Sequence, residues 1–258
     1  MAKQRTIVGS PLTPELLKEL GAVDIFPSTP RDFKPAEDWT NTYRIWTCHG
    51  YRESGNENVG FLRLKRIRES EKAFTLNVHE EVLQTDAMVG IIKGTISCRN
   101  NPLASPTRWN LSNRFIGADG EHIPELLSRN NGVPTEGTEK MTGDWCLFEA
   151  VQRLVFDKQT SINFNLLEGM SLRKSKHRLS YRGVHSVNTG TADTSLHCFV
   201  QTGSGILPYE YWLDARHRLL VVTTMNKAYI LDEQAQEIFT QDVERARKSY
   251  RNKTSRRK

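Results

Sequence analysis

Apolar and polar side chains alternate for most of the chain, and that alternation restricts the fold more than any other feature. In Tyr43-Arg44-Ile45-Trp46-Thr47-Cys48, successive residues fall on opposite faces of an extended strand. Ser54-Gly55-Asn56-Glu57-Asn58 is a polar turn, and Val59 to Lys65 reads as the next strand. Phe74, Leu76 and Val78 then alternate with Thr75, Asn77 and His79. Met88 to Cys98 forms a further strand, with Gly90 and Gly94 as bend or bulge points, and Asn100-Asn101-Pro102 breaks it. Trp109 to Phe115 is another strand. Residues 117–143, rich in Gly, Asn, Pro and Glu, read as a long loop. Strands resume with Ile162, Phe164 and Leu166, then Leu179 and Tyr181, His197 to Gln201, Tyr209 to Leu213, Leu219 to Thr224, and Ala228 to Leu231.

Strands that follow each other so closely leave no room for the crossovers of a parallel sheet. The period becomes helical only over residues 144–156. There Asp144 can cap, and Leu147, Phe148, Val151, Leu154 and Val155 form one apolar stripe. A second helix, over about 233–250, follows Asp232. The expected fold is therefore mainly β (α+β): a single strongly curved antiparallel sheet, a half-barrel of about nine or ten strands, with one helix in the concavity and a C-terminal helix. No apolar run is long enough for a membrane-spanning helix.

The N-terminal segment reads differently. Thr13 can cap a short helix with Pro14 at its first position, and Gly21 stops it. Pro27, Pro30 and Pro35 follow in an extended stretch that wraps the body through Phe26, Phe33 and Trp39. This divides the chain into a wrapping segment (1–40), a curved β domain (41–232), and a C-terminal helix with a basic tail (233–258).

Charge is unevenly spread. Arg245, Arg247, Lys248, Arg251, Lys253, Arg256, Arg257 and Lys258 carry more than the whole net charge of +6, so the body is near neutral. A basic tail attracts phosphates, but it holds no interleaved aromatics for stacking bases. Inside the body, Arg173, Lys174, Lys176, His177, Arg178 and Arg182 form the strongest charged stretch, which with Arg63, Lys65, Arg66 and Arg68 would make a basic rim. The plainer reading is a pair of solvated strand edges guarded against aggregation.

Little in the chain points to chemistry. Cys48, Cys98, Cys146 and Cys198 are widely spaced, which suits small buried residues; two long-range disulfides would form in an oxidising compartment. Lys3 and Arg5 are not followed by the apolar segment of an export signal, so a cytoplasmic location is expected, or an exported one if a leader has been removed. The histidines His49, His79, His122, His177, His185, His197 and His217 show no ligand spacing. His197-Cys198 and Cys48-His49 are adjacent and so on opposite faces, and Gly183 interrupts the span from His177 to His185. Asp193 and His197 could pair along one strand face. Gly203-Ser204-Gly205 lacks the nucleophile elbow, no glycine-rich loop opens a helix to cradle phosphate, and Glu80-Glu81 point to opposite faces rather than forming an acid/base pair. No catalytic residue, metal ligand or cofactor is indicated.

The stretch Ile206-Leu207-Pro208-Tyr209-Glu210-Tyr211-Trp212-Leu213-Asp214-Ala215-Arg216-His217-Arg218-Leu219-Leu220, with Ala228-Tyr229-Ile230-Leu231, resembles the final hairpin of uncharacterised half-barrel domains related to the bacterial lipoprotein-localisation-factor superfamily. The resemblance implies a curved sheet closed by a helix, with an acyl chain held in the cup of some members. It names no catalytic residue, and those proteins are usually exported. The expected function is thus a non-enzymatic β-cup for an apolar or amphipathic ligand or a partner segment, contacted by Trp46, Phe61, Phe148, Phe164 and Trp212. The alternatives are binding of nucleic acid or an acidic partner through the tail and residues 173–182, and an enzyme of unrecognised type.

Overall fold

A computed structural model of the protein describes residues 11–48, 57–84, 87–134, 140–188 and 193–255. His49, most of the 54–58 turn, the basic residues Lys3 and Arg5, and the last three tail residues lie outside that set. Among the described residues, thirteen strands form one sheet. They are β1 (Trp39–Thr47), β2 (Glu57–Arg68), β3 (Ala73–Leu83), β4 (Val89–Arg99), β5 (Pro106–Ile116), β6 (Ser128–Gly132), β7 (Met141–Gly143), β8 (Ser161–Glu168), β9 (Leu172–Asn188), β10 (Asp193–Thr202), β11 (Tyr209–Leu213), β12 (Leu219–Thr223) and β13 (Lys227–Leu231). Their spatial order is β6-β5-β4-β3-β2-β1-β13-β12-β11-β10-β9-β8-β7. Two meanders therefore meet where β1 pairs with β13, Tyr43 opposite Leu231.

Three helices accompany the sheet: α1 (Pro14–Glu19), α2 (Asp144–Ala150) and α3 (Ala235–Ser255). No helix among the described residues is long and apolar enough to cross a membrane. The sheet curls around α2. Trp145 to Val151 and Gln152 are all buried, so the helix is enclosed on every side rather than along one stripe. The helix is also shorter than the pattern over 144–156 suggests. It ends at Ala150, tightens into a 3₁₀ turn over Val151–Arg153, and leaves Val155 exposed. Its cap is Gly143, with Asp144 inside the first turn.

Three further expectations change. The 117–143 stretch is not all loop: it contains β6 and β7, whose sequences, Ser-Arg-Asn-Asn-Gly and Met-Thr-Gly, are too short and too little alternating to read as strands. They raise the strand number above nine or ten. Moreover, β7 runs parallel to β8, Met141 opposite Asn165, with the intervening α2 supplying the crossover. The sheet is thus mixed rather than wholly antiparallel. Finally, β9 is a single long strand. Cys198 pairs with Gly183 and Phe199 with Tyr181, so Arg182 is the extra residue of a bulge at which Gly183 takes φ of +122°. That bulge is why His177 is buried inside while His185 is exposed against Trp212 outside.

The curled sheet nearly meets itself. Asn130 of β6 accepts from the Trp109 indole at 2.9 Å and donates to the carbonyls of Gly169 (3.0 Å) and Met170 (3.1 Å) in the β8–β9 turn. On the outside, Thr13 caps α1 as expected, Gly21 follows it at φ of +72°, and the segment beyond it is tied down by Thr29 to Asp214 and Arg44 to the Ala22 carbonyl. Helix α3 covers Phe61, Val89 and Ile91 with Ala235, Phe239 and Val243.

Candidate functional site

One end of α2 is held by charge. Arg66 has no exposed surface, and neither does Glu149, which it meets at 2.9 Å. Arg153 binds the same carboxylate at 2.7 and 2.8 Å. Further guanidinium protons go to the carbonyls of Glu37 and Asn101 and to the Asn100 side chain, and the Arg66 guanidinium lies 4.4 Å from the Phe74 ring centroid. Arg66 is therefore a buried anchor and cannot belong to a basic rim.

At the N-terminal end of α2 the interior opens into a cleft of ≈ 170 Å³, lined by Leu62, Glu80, Asp144, Trp145, Phe148, Glu168, Gln201, Tyr209, Tyr211 and Tyr229. Strand alternation places each wall residue. Glu80 points inward, where it accepts from the Trp145 indole at 3.0 Å, while its neighbour Glu81 points outward to His79 at 2.6 Å. Tyr209 and Tyr211 occupy the same face of β11, and Tyr229 the inner face of β13. Phe148 sits among them, edge-on to Tyr43, Tyr211 and Tyr229 at 5.4, 6.2 and 5.3 Å. The Tyr211 hydroxyl donates to Gln201 at 2.7 Å, which in turn contacts the buried His177 at 3.3 Å.

The electrostatics of this cleft are one-sided. Burial pushes the Asp144 carboxyl up to about 6; the Gly169 N–H at 2.6 Å opposes the rise, and the neighbouring Glu168 and Glu80 charges add to it. Burial, then the charges of Asp144, Glu168 and Glu80, pushes the Tyr209 phenol up to about 12. Burial also holds Tyr211 and Tyr229 well above the usual phenol range. The counter-charge is Lys174 at the rim, 2.8 Å from Glu168 and 2.7 Å from the Gly205 carbonyl. Lys227 stands 4.6 Å from the Tyr229 ring centroid. Among the described residues, no three His, Cys, Asp or Glu side chains converge as a metal-ligand set.

Of the five aromatic candidates, only Phe148 lines the cleft. Phe164 is inside but packed against His177, 5.6 Å between ring centroids. The other three are on the outer face. Trp46 pairs with Ala228, the outward neighbour of Tyr229, and directly follows Ile45, which pairs with the inward Tyr229. Phe61 packs on Phe239 of α3 at 5.6 Å. Trp212 is the outward neighbour of Tyr211 and stands against His185. These three follow the right period but the wrong face, because parts of the outer face are buried as well, Phe61 under α3 among them.

The basic candidates also separate. Arg173, Lys176, Arg178 and Arg182 are exposed, with Arg178 donating to Ser161, while Lys174 turns to the cleft rim. Strands β1, β13, β12, β11 and β10 lie between this stretch and β2, which carries Arg63, Lys65 and Arg68, so the two do not form one rim. The tail is helical through Ser255, and Arg247 and Arg251 fold back onto the Gly117 and Asp119 carbonyls. His197 and Cys198 do face opposite ways: His197 stacks inside on Phe156, and Cys198 borders an outer groove. The side chain of Asp193 lies outside the described residues.

Sequence reasoning missed Glu80, Asp144, Glu168 and the three tyrosines as a group. A signal existed in Tyr209-x-Tyr211 and Tyr229, which share a face on two strands, β11 and β13, separated only by β12.

The chain matches no known family. No curated protein matches it either. Among solved structures it is similar to a β-barrel-like protein of domain of unknown function DUF1849 from Brucella abortus, with 9% sequence identity and a TM-score of 0.46 over 76% of this chain and 95% of that one. The resemblance to lipoprotein-localisation factors at residues 206–232 gains no support from these comparisons.

Proposed function

We propose that the protein is a non-enzymatic binding protein that takes a small amphipathic cation, an organic ammonium on a short apolar stem, in the cleft at the N-terminal end of α2. One observation carries this reading: three carboxylates, Glu80, Asp144 and Glu168, share a cleft with Tyr209, Tyr211, Tyr229 and Phe148. Carboxylates supply charge and aromatic rings supply cation–π contact, the combination that recognises ammonium groups. The raised Asp144 carboxyl supports it, since a bound cation would favour the charged form that burial, and after it the Glu168 and Glu80 charges, disfavour. The carboxylates do not converge on a single ion, which favours an extended organic cation over a metal. A purely apolar ligand is disfavoured, because Leu147, Phe148 and Val151 of the plug occupy the apolar interior.

The test is calorimetric titration with n-butylammonium and tetramethylammonium, using n-butanol as the uncharged control. Either ammonium should bind and the alcohol should not. Affinity should fall as Asp144 protonates, by roughly tenfold from pH 7.5 to 5, and Asp144→Asn should bind weakly at both. No heat from either ammonium at millimolar concentration, or equal binding of butanol, would overturn the reading.

A further inference from the structure

Cys98 and Cys146 are both buried, and their sulfurs lie 3.8 Å apart. Cys98 is on β4, in the wall, and Cys146 is in the first turn of α2, inside it. All four cysteines are free thiols. Cys198 borders the outer groove, and Cys48 follows the end of β1.

We infer that Cys98 and Cys146 are a latent redox pair whose oxidation staples the plug helix to the sheet wall. A sulfur–sulfur bond of about 2 Å requires the two sulfurs, 3.8 Å apart, to draw closer together. The bond would close a long loop that spans β5, β6 and β7 and the entry to α2, a segment that includes the shortest strand, β7. Cross-links across long loops restrict the unfolded chain most.

The chemistry is thiol–disulfide exchange with a small-molecule disulfide. One cysteine loses its proton and its thiolate attacks a sulfur of the oxidant, releasing one reduced thiol and leaving a mixed disulfide on the protein. The second cysteine, also deprotonated, attacks the protein-side sulfur and releases the second thiol. Two protein thiols are oxidised by two electrons, and one disulfide is reduced to two thiols. Burial holds the Cys98 thiol well above its ordinary range, which disfavours the thiolate while α2 is seated. The staple therefore forms when the plug is loosened and is protected once it is seated.

The experiment incubates the reduced protein with oxidised glutathione in a urea concentration near the unfolding midpoint, removes the urea, blocks remaining thiols and maps the peptides. A Cys98-peptide joined to a Cys146-peptide is expected, with the melting temperature raised by about 5–15 °C and restored by reductant under the same urea. Cys48→Ala/Cys198→Ala, which keeps only the pair, should behave identically, and Cys146→Ser should show no rise. If the double variant gains no cross-link, or if wild type joins other cysteines instead, the inference fails. Should Cys146→Ser not fold, the double variant alone decides between these outcomes.

Discussion

Glu149 has no exposed surface and lies between two guanidinium groups, so its charge is compensated only by Arg66 and Arg153. Removing one partner of such a pair leaves an unpaired buried charge, which costs more than the pair contributes. Arg66→Met should therefore destabilise the protein by about 3–5 kcal/mol in urea unfolding, whereas Arg173→Met, on an exposed side chain, should change it by less than about 0.5 kcal/mol. Asp144 behaves in the opposite way. Its carboxyl is raised to about 6 in the fold, so above that pH the folded protein holds an unfavourable charge that the unfolded chain solvates freely. Asp144→Asn keeps an oxygen for the Gly169 N–H and should stabilise the ligand-free protein at pH 7.5 by on the order of 1–2 kcal/mol. The gain should fade as pH drops through the ordinary aspartate range and be gone by about pH 3, where the acid is neutral in both states. A residue that weakens the fold where it sits in a cleft is the pattern of a functional group.

The segment that leaves the plug is clamped by rings. Phe156 lies between His197 and His217, with centroids 3.8 and 3.9 Å away and both interplanar angles 7°, so the imidazoles cover its two faces. Tyr181 fixes the His197 ring at 2.7 Å. Burial lowers the pKa of both histidines; the two rings' mutual repulsion lowers His197 further, and Asp214 opposes the shift at each. The folded state thus binds protons less readily than the unfolded chain. Stability from this clamp is full above about pH 6.5 and is lost as pH falls through the lowered folded values. In an Asp144→Asn/Glu210→Gln background, which removes the two carboxyls that burial raises to about 6 and about 7, the urea midpoint should drop between pH 7.5 and 5.5. His197→Gln/His217→Gln should flatten that drop; an equal drop in the double variant would place its origin elsewhere. None of this was legible from His197 and His217 as isolated histidines, because the third ring comes from a residue between two other elements.

At the level of the whole molecule, the sheet has two free ends, β6 and β7, and closes without a continuous ladder between them. Asn130 bridges the gap with one accepted and two donated hydrogen bonds. Asn130→Ala should cost about 1–3 kcal/mol and raise amide hydrogen exchange in β6 and the 169–171 turn ahead of the rest of the sheet. Uniform protection in the variant would mean that the ends are held by something other than this seam. The curl also explains why part of the site was hidden. Glu80, Asp144, Glu168 and Tyr229 come from β3, α2, β8 and β13, and only a wall bent around a central helix brings them within one cleft.

Alternation and turn spacing were enough to give the hairpin order, the last three strands at 209–231, the capped α1, and the presence of a helix inside a curved wall. These are local matters: period, caps and breakers act over a few residues. Which face of each strand looks inward was decided elsewhere, by the pairing of β1 with β13 that sets Trp46 opposite the outward Ala228, by α3 over Phe61 and by the packing around Trp212. So were the burial of Arg66, the parallel β7 and the meeting of Cys98 with Cys146. A two-residue period distinguishes two faces but cannot label them, and the labels come only when distant segments compete to cover both.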